Sequence, residues 1–560
     1  MVRTHRLGSV NIRRRKHWGW GFEDQQPTST EVRQTAAGLA PQLAPVLGDV
    51  VLGEVETPVP LSAVELTPPR VAPPEGLVDI CASDVHARAC HALGKSYSDV
   101  IRGFRGQFAH PPDLVAYPRD ETDVERLLEW CASERIAAIP YGGGTSVVGG
   151  VTPDVDCDRE AGEASYNGAV SIDLSALDRV LEVDPVSRAA LIQAGATGPG
   201  LEGQLAEHGL TLRHYPQSFE YSTLGGWIAA RAAGHFATVL THIDDFVEST
   251  RAITPAGVWE SRRLPGSGAG VSPDRMLAGS EGILGVITQA WVRVQPRPSH
   301  RASAGVRFER FFDGAECVRA LSQSGLDPAN CRLIDAPEAR MTMAGDGSFA
   351  LLVLGFESVD HPVEEAMSRA LAICAEHGGA VPEGRDRPGG DAVSSWRGAF
   401  LGAPYLRDVF VAMGILSETF ETAITWDRFP SFHEHVTAAV HEAIESVAAP
   451  AARGAGLLSC RFTHVYPDGP APYFTVMAPA RRGEEVAQWA AIKRAASDAV
   501  IACDGTITHH HAVGRDHRPW YDRQRPQPFA QALRGARAAV DPCGIMNPGV
   551  LIDPLDMTSV

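Results

Sequence analysis

Lysine is almost absent from this chain: Lys16, Lys95 and Lys493 are the only three among 50 basic residues. Arginine carries nearly all the positive charge, as genomic base composition would dictate, and its planar fork of donors suits phosphate and carboxylate. An excess of basic charge is also missing. The formal net charge of −18 argues against a nucleic-acid or anionic-membrane surface overall, while leaving room for a local basic pocket. The ten cysteines, scattered from Cys81 to Cys543, contain no Cys-x-x-Cys pair and no metal-ligand spacing, which reads as reduced thiols in a cytosolic protein. No uninterrupted apolar run approaches a membrane span, and the basic start (Arg3, Arg6, Arg13 to Lys16) is not followed by the apolar stretch of a secretory signal. Any lipid contact is therefore expected to be peripheral. There is no internal repeat.

What is present is a chain of 560 residues, too long for one core, with small-residue segments concentrated in its first half. The first is Ile139-Pro-Tyr-Gly-Gly-Gly-Thr-Ser-Val-Val-Gly-Gly-Val151, where an apolar run leads into three glycines and two hydroxyl residues. Several backbone N–H groups can converge there without side chains in the way, as a pyrophosphate requires. The loop is neither a Walker sequence nor a Gly-x-Gly-x-x-Gly turn, and taken alone it reads equally well as a tight surface turn. Two further segments, Gln217 to Gly234 (QSFEYSTLGGWIAARAAG) and Gly279 to Thr288 (GSEGILGVIT), also adjoin apolar runs. Three such segments suggest one long ligand threaded between backbones.

Along the chain, residues 25 to 75 read either as a partly ordered linker or as part of an N-terminal helical arm, and Trp18 and Trp20 are expected to be buried. Residues 84 to 104 have helical spacing, Leu114 to Arg119 look like a strand, and Glu121 to Ser133 form an amphipathic helix ahead of the glycine loop. Asp154 to Gly168 reads as an exposed polar insertion. Short strands then alternate with turns as far as Pro296-Arg-Pro298, a sensible boundary. A second block mixing strands and helices follows. The fold class is thus α+β, divided as an arm at 1–100, a ligand-binding domain at 101–300, a capping domain at 301–504, and a segment at 505–560 that returns to the ligand.

Three later strings carry chemistry. Taken alone, His509-His510-His511 reads as a metal site or a polar turn; on an extended segment adjacent residues face opposite ways, which disfavours metal, and none is assigned. Tyr405-Leu-Arg407-Asp runs on to Ser417-Glu-Thr-Phe-Glu-Thr and Trp426-Asp427, where the plain reading of Arg407 is a surface ion pair and of Trp426 packing. Cys460-Arg-Phe-Thr-His-Val-Tyr466 and Gly469-Pro-Ala-Pro-Tyr473 read as two strands of a sheet.

Together GGGTS, STLGGW, SEGILGVIT, SETFET…WD and HHHAVG resemble the vanillyl-alcohol oxidase / p-cresol methylhydroxylase superfamily, and within it the alkyldihydroxyacetonephosphate synthase family. The likeness covers roughly residues 12 to 22 and 100 to 552. It implies a two-subdomain PCMH-type FAD-binding domain with an α+β substrate cap. The implied FAD contacts are Pro140, Tyr141, Gly142, Gly143, Gly144, Thr145 and Ser146, then Gln217, Ser218, Thr223, Gly225, Gly226, Ala230, Arg231, Ala232 and Ala233, then Glu281, Gly282, Gly285, Val286 and Ile287. No Cys or His follows Pro140, so the FAD is expected to be noncovalent. By the same likeness Tyr473 is the catalytic tyrosine, His509, His510, His511 and His214 assist, Arg407 grips the substrate headgroup, and Arg332 shapes the substrate site. Two departures stand out: Gly514-Arg515 replaces the family's Gly-Lys, and Ser417 follows Leu416 where the family has glycine.

The implied reaction exchanges the acyl group of acyl-dihydroxyacetone phosphate for a fatty alcohol, with no net redox change at the flavin. The alternative keeps FAD but oxidises a 2-hydroxy acid of the D-lactate or glycolate type, because fold does not fix reaction. A third reading is a flavin-retaining protein without activity, against which Tyr473, Arg407 and the histidines stand. The implied setting is a cytoplasmic homodimer acting on a lipid-like small molecule, with peripheral membrane contact and no nucleic acid.

Overall fold

Two apolar cores divide the chain. The computed structural model describes residues 13–48, 55–155, 166–382, 402 and 404–554, so most of the polar stretch after Asp154 lies outside the described residues.

The first core is built on two sheets. In one, the strands Cys81–Ala82, Leu114–Ala116, Gly168–Asp173 and Ile136–Tyr141 lie in that spatial order, with the last two parallel to each other. Gly168–Asp173 is buried along its whole length, as a strand flanked on both sides must be. The helix Glu121–Ser133 covers this sheet because Val124, Leu127, Leu128 and Cys131 recur on one face, and Asp120 caps its start by accepting from Asp123 N. The second sheet is antiparallel: Val180–Asp184, Ala189–Gln193, Val286–Arg293, Val247–Thr254 and Gly257–Glu260. The chain's last segment joins this core through Val513, Ile545, Met546 and Val550. It also extends the first sheet, since Ala138 N donates to Ile545 O at 2.9 Å and Asn547 N donates to Ala138 O at 2.9 Å.

The second core lies under a six-stranded antiparallel sheet, ordered His300–Phe308, Ala350–Ser358, Asn330–Ile334, Leu457–Val465, Pro470–Pro479 and Ile415–Glu421. Strand alternation sorts its side chains. Leu416, Phe420, Leu458, Cys460, Phe462, Phe474 and Val476 enter the core with the helices Phe429–Val447 and Glu485–Ala502. Their neighbours Ser417, Thr419, Arg461, Thr463, Tyr473 and Thr475 face the other way, toward a cavity.

Two local expectations change. Residues 84–104 are two helices, Val85–Cys90 and Tyr97–Phe104, and the break presses Gly94 against the first glycine loop, where a Cβ would stand 2.3 Å from Ser146 O. Within the region read as linker or arm, Ser29–Leu47 is a 19-residue helix. A Thr28/Glu31 capping box starts it, and Ala36, Leu43 and Leu47 pack on Val409, Met413 and Met477. Trp18 and Trp20 are both buried, Trp18 edge-on to Phe104 at 5.2 Å. No helix among the described residues is long and apolar enough to cross a membrane.

Candidate active site

A cavity of about 560 Å³ separates the cores. Its floor is made by the three small-residue segments, packed backbone to backbone. A Cβ on Gly143 would sit 2.1 Å from Tyr221 O, and Gly144 adopts φ +66°, which favours glycine. Hydroxyls of Thr145, Ser146, Ser218 and Thr223 stand among bare backbone. Such a floor leaves room for a long, flat ligand and for little else, and so fits FAD. Of the residues expected to contact the cofactor, all line this cavity except Arg231 and Val286. Arg231 ends its helix at φ 51° and turns its mostly exposed guanidinium to Asp244, 2.8 Å away. Val286 is fully buried because Gly285 and Ile287, its strand neighbours, take the cavity face.

The roof is the open face of the six-stranded sheet. Glu421 and Arg461 are the register partners of Tyr473 on its two sides, so the three residues stand in a row. The Arg461 guanidinium lies over the Tyr473 ring, 3.9 Å from its centre, and its NH1 pairs with Glu338 at 2.6 Å. Burial raises the Tyr473 pKa, opposed by Arg461, a Thr419 hydrogen bond and Arg407.

The histidine triplet is not on an extended segment. It wraps a buried carboxylate: Glu421 accepts from the backbone N–H of His509 at 2.5 Å, His510 at 3.1 Å and His511 at 2.8 Å, and from the Thr508 hydroxyl at 2.6 Å. Burial works to raise the Glu421 pKa, but the donors of the turn at His510, His511 and His509 and the Thr508 hydroxyl hold it well below the usual range. Burial pushes the His510 pKa down to about 3 and His511 to about 4, so both rings are neutral in ordinary buffers. His510 and His511 line the cavity beside Tyr473, their ring centres 6.2 and 5.5 Å from its own. His509 stands behind them, its Nε2 bonded to the Tyr466 hydroxyl at 2.8 Å.

The turn also corrects the sequence argument about metals. It brings His509 and His510 to His464, their potential donor atoms all within 4.8 Å of one another. Hydrogen bonds already engage His464 Nε2 with Gly234 O at 2.9 Å, and the Nδ1 atoms of His509 and His510 with each other at 3.0 Å.

Arg407 lines the cavity from the helix spanning 404–413 and donates to Lys95 O at 2.9 Å. Arg332 lines it too, donating to His235 O at 2.7 Å, and burial brings its pKa down to about 9. His214 does not reach it. The ring is packed between Trp227 and Phe246, at 5.0 and 5.6 Å, behind Gly234, with neither nitrogen hydrogen-bonded among the described residues. Burial takes its pKa to about 3, so it is a neutral packing residue and not one that meets substrate.

Sequence reasoning missed Glu421, Arg461 and the basic arm. Arg15 NH1 donates to Gly143 O at 2.7 Å, and Lys16 Nζ forms a buried ion pair with Asp408 at 2.5 Å. One short stretch of chain thus ties the first glycine loop to the helix that carries Arg407. The available signal was a charge within a strand-like stretch, at Arg461 in SCRFTHV and at Glu421 in SETFE.

Fold and cavity together define a two-domain flavoprotein that holds FAD between a glycine-lined domain and a sheet-roofed cap. The family described as FAD binding domain matches residues 112–261, and that of FAD linked oxidases, C-terminal domain, matches residues 297–551. The chain thus carries both domains of an FAD-linked oxidase and is similar over most of its length to alkyldihydroxyacetonephosphate synthases. Alkyldihydroxyacetonephosphate synthase of Trypanosoma brucei brucei is 28% identical over 495 residues, 84% of this chain and 78% of the relative. A solved alkyldihydroxyacetonephosphate synthase superposes with a TM-score of 0.76 at 24% identity, covering 95% of this chain and 98% of the other. p-Cresol methylhydroxylase with substrate bound gives 0.65 at 14% identity, covering 94% and 98%.

Proposed function

We propose that this protein forms an ether lipid precursor by exchanging the acyl group of an acyl-dihydroxyacetone phosphate for a fatty alcohol. One observation carries the reading. The cavity does not stop at Tyr473 and Arg407 but continues along an apolar wall of Leu39, Leu43, Val46, Met341, Phe410 and Met477. A short hydroxy acid has no use for such a wall; a fatty chain does.

The three small-residue segments would hold FAD noncovalently, and its electron-poor ring would supply the sink for the electrons left on the substrate carbon. Arg407 grips the phosphate through paired donors. Tyr473 Oη takes the proton from C1 of the substrate and later returns it, while the neutral rings of His510 and His511 orient the exchanging oxygen. The bond from C1 to the acyl oxygen breaks and the acyl group departs as a carboxylate; the alcohol oxygen bonds to C1, and its hydroxyl proton leaves with the carboxylate as fatty acid. Water is kept out by the apolar wall, so alcohol and not water completes the exchange. The same reading includes a cytoplasmic homodimer that meets its lipid by peripheral contact with a membrane.

Incubation of the holoenzyme with acyl-dihydroxyacetone phosphate and labelled fatty alcohol should yield one ether and one fatty acid per turnover, with the flavin still yellow. Anaerobic bleaching by D-lactate or glycolate, without exchange activity, would overturn the proposal in favour of a hydroxy-acid oxidase. Arg407→Ala should raise the KM for the phosphate substrate by about tenfold or more, the worth of a charge-assisted hydrogen bond.

A further inference from the structure

We infer that Arg461 stabilises the phenolate of Tyr473 and thereby makes this tyrosine usable as a base. The inference deepens the reading just given and rests on it.

Three features of the geometry support it. Arg461 and Tyr473 are direct register partners on neighbouring strands, so their side chains leave the sheet together on the cavity face. The guanidinium lies over the phenol, 3.9 Å from the ring centre, where it favours negative charge spread over that ring. It cannot swing away easily: NH1 is held by Glu338 at 2.6 Å, and Glu338 in turn accepts from Ser459 Oγ at 3.2 Å. Arg461 Nε is buried and has no hydrogen-bond partner among the described residues, leaving one donor uncommitted beside the reacting groups.

The other groups around Tyr473 do not do this work. Glu421, its partner on the opposite strand, is an anion and opposes the phenolate. His510 and His511, from the turn above, are neutral because burial pushes them to about 3 and 4. Thr419 contributes a hydrogen bond, and Arg407, from the helix at 404–413, acts less strongly than Arg461. Arg407 also has a phosphate to hold. Arg461 is left as a positive charge on Tyr473 whose ion pair among the described residues is with Glu338, through one end of its guanidinium. It is a positioning residue that acts through the tyrosine.

The test is an ultraviolet difference titration of tyrosinate in the holoenzyme, each variant being compared with the same variant carrying Tyr473→Phe so that flavin and the other tyrosines cancel. Because Arg461→Met alone would strand the buried Glu338 carboxylate, the informative variant is Arg461→Met with Glu338→Gln, set beside Arg461→Lys. The double variant should raise the Tyr473 pKa by about one unit, lower kcat about tenfold at neutral pH, and recover as pH rises, with KM unchanged. Arg461→Lys should restore most of the shift. An unmoved Tyr473 titration in the double variant, or a loss of kcat equal at every pH, would overturn the inference. The titration needs no substrate, so absence of ether synthesis in every variant would refute the functional reading and leave the Arg461–Tyr473 pairing separately tested.

Discussion

A buried imidazole without a hydrogen bond among the described residues gives packing but costs stability in acid, and His214 is such a ring. Its pKa is about 3 in the folded protein against an ordinary value of 6.5, so between these values the unfolded chain binds a proton that the folded chain refuses. Stability therefore falls as pH drops from 6.5 toward 3, by up to about 1.4 kcal/mol per pH unit from this residue alone. Urea melts of His214→Phe should show a shallower acid limb by that amount, with exchange activity unchanged; a large loss of kcat would return the histidine to the catalytic set. Glu421 is the opposite kind of residue, a buried anion with every lone pair used. Glu421→Gln replaces an acceptor by a donor facing backbone N–H groups. We expect it to cost about 2–4 kcal/mol in thermal unfolding and to lower kcat by disordering the histidine turn. The string HHHAVG made those histidines conspicuous, but the carboxylate that shapes them is 88 residues away, beyond any local pattern.

Between elements, the decisive joint is the arm at residues 13–22. Lys16 and Asp408 are almost wholly buried, and Trp20 N is a second donor to the same carboxylate at 3.1 Å. Breaking one partner leaves an uncompensated charge, so Asp408→Asn should destabilise the protein by about 3 kcal/mol or more, whereas Lys16→Met with Asp408→Asn should recover part of that loss in the same melts. The helix Glu121–Ser133 was legible because cap, spacing and length agree. Ser29–Leu47 was less so: Pro41 and Pro45 are poor interior helix residues, and packing on the cap outweighs their cost. The turn after Thr508 was misread as extended because nothing local reports that its N–H groups have a distant acceptor.

For the molecule as a whole, the α+β class and the placing of a glycine-lined floor under a sheet-roofed cap could be read from strings alone, because backbone approach demands small residues in sequence. The composition of the roof could not, since it depends on register across three strands. The same register question bears on His464, His509 and His510. Their internal hydrogen bonds argue for a proton network, so dialysis against a chelator should leave exchange activity within about twofold; loss that zinc restores would make the cluster a metal centre.

The pairing of Ala138 with Ile545 and Asn547 has a consequence for biosynthesis. The strand leading into the first glycine loop gains its outer neighbour only after residue 547 has left the ribosome, some four hundred positions later. A nascent chain that already bears both sheets thus still lacks the stitch that fastens its flavin floor.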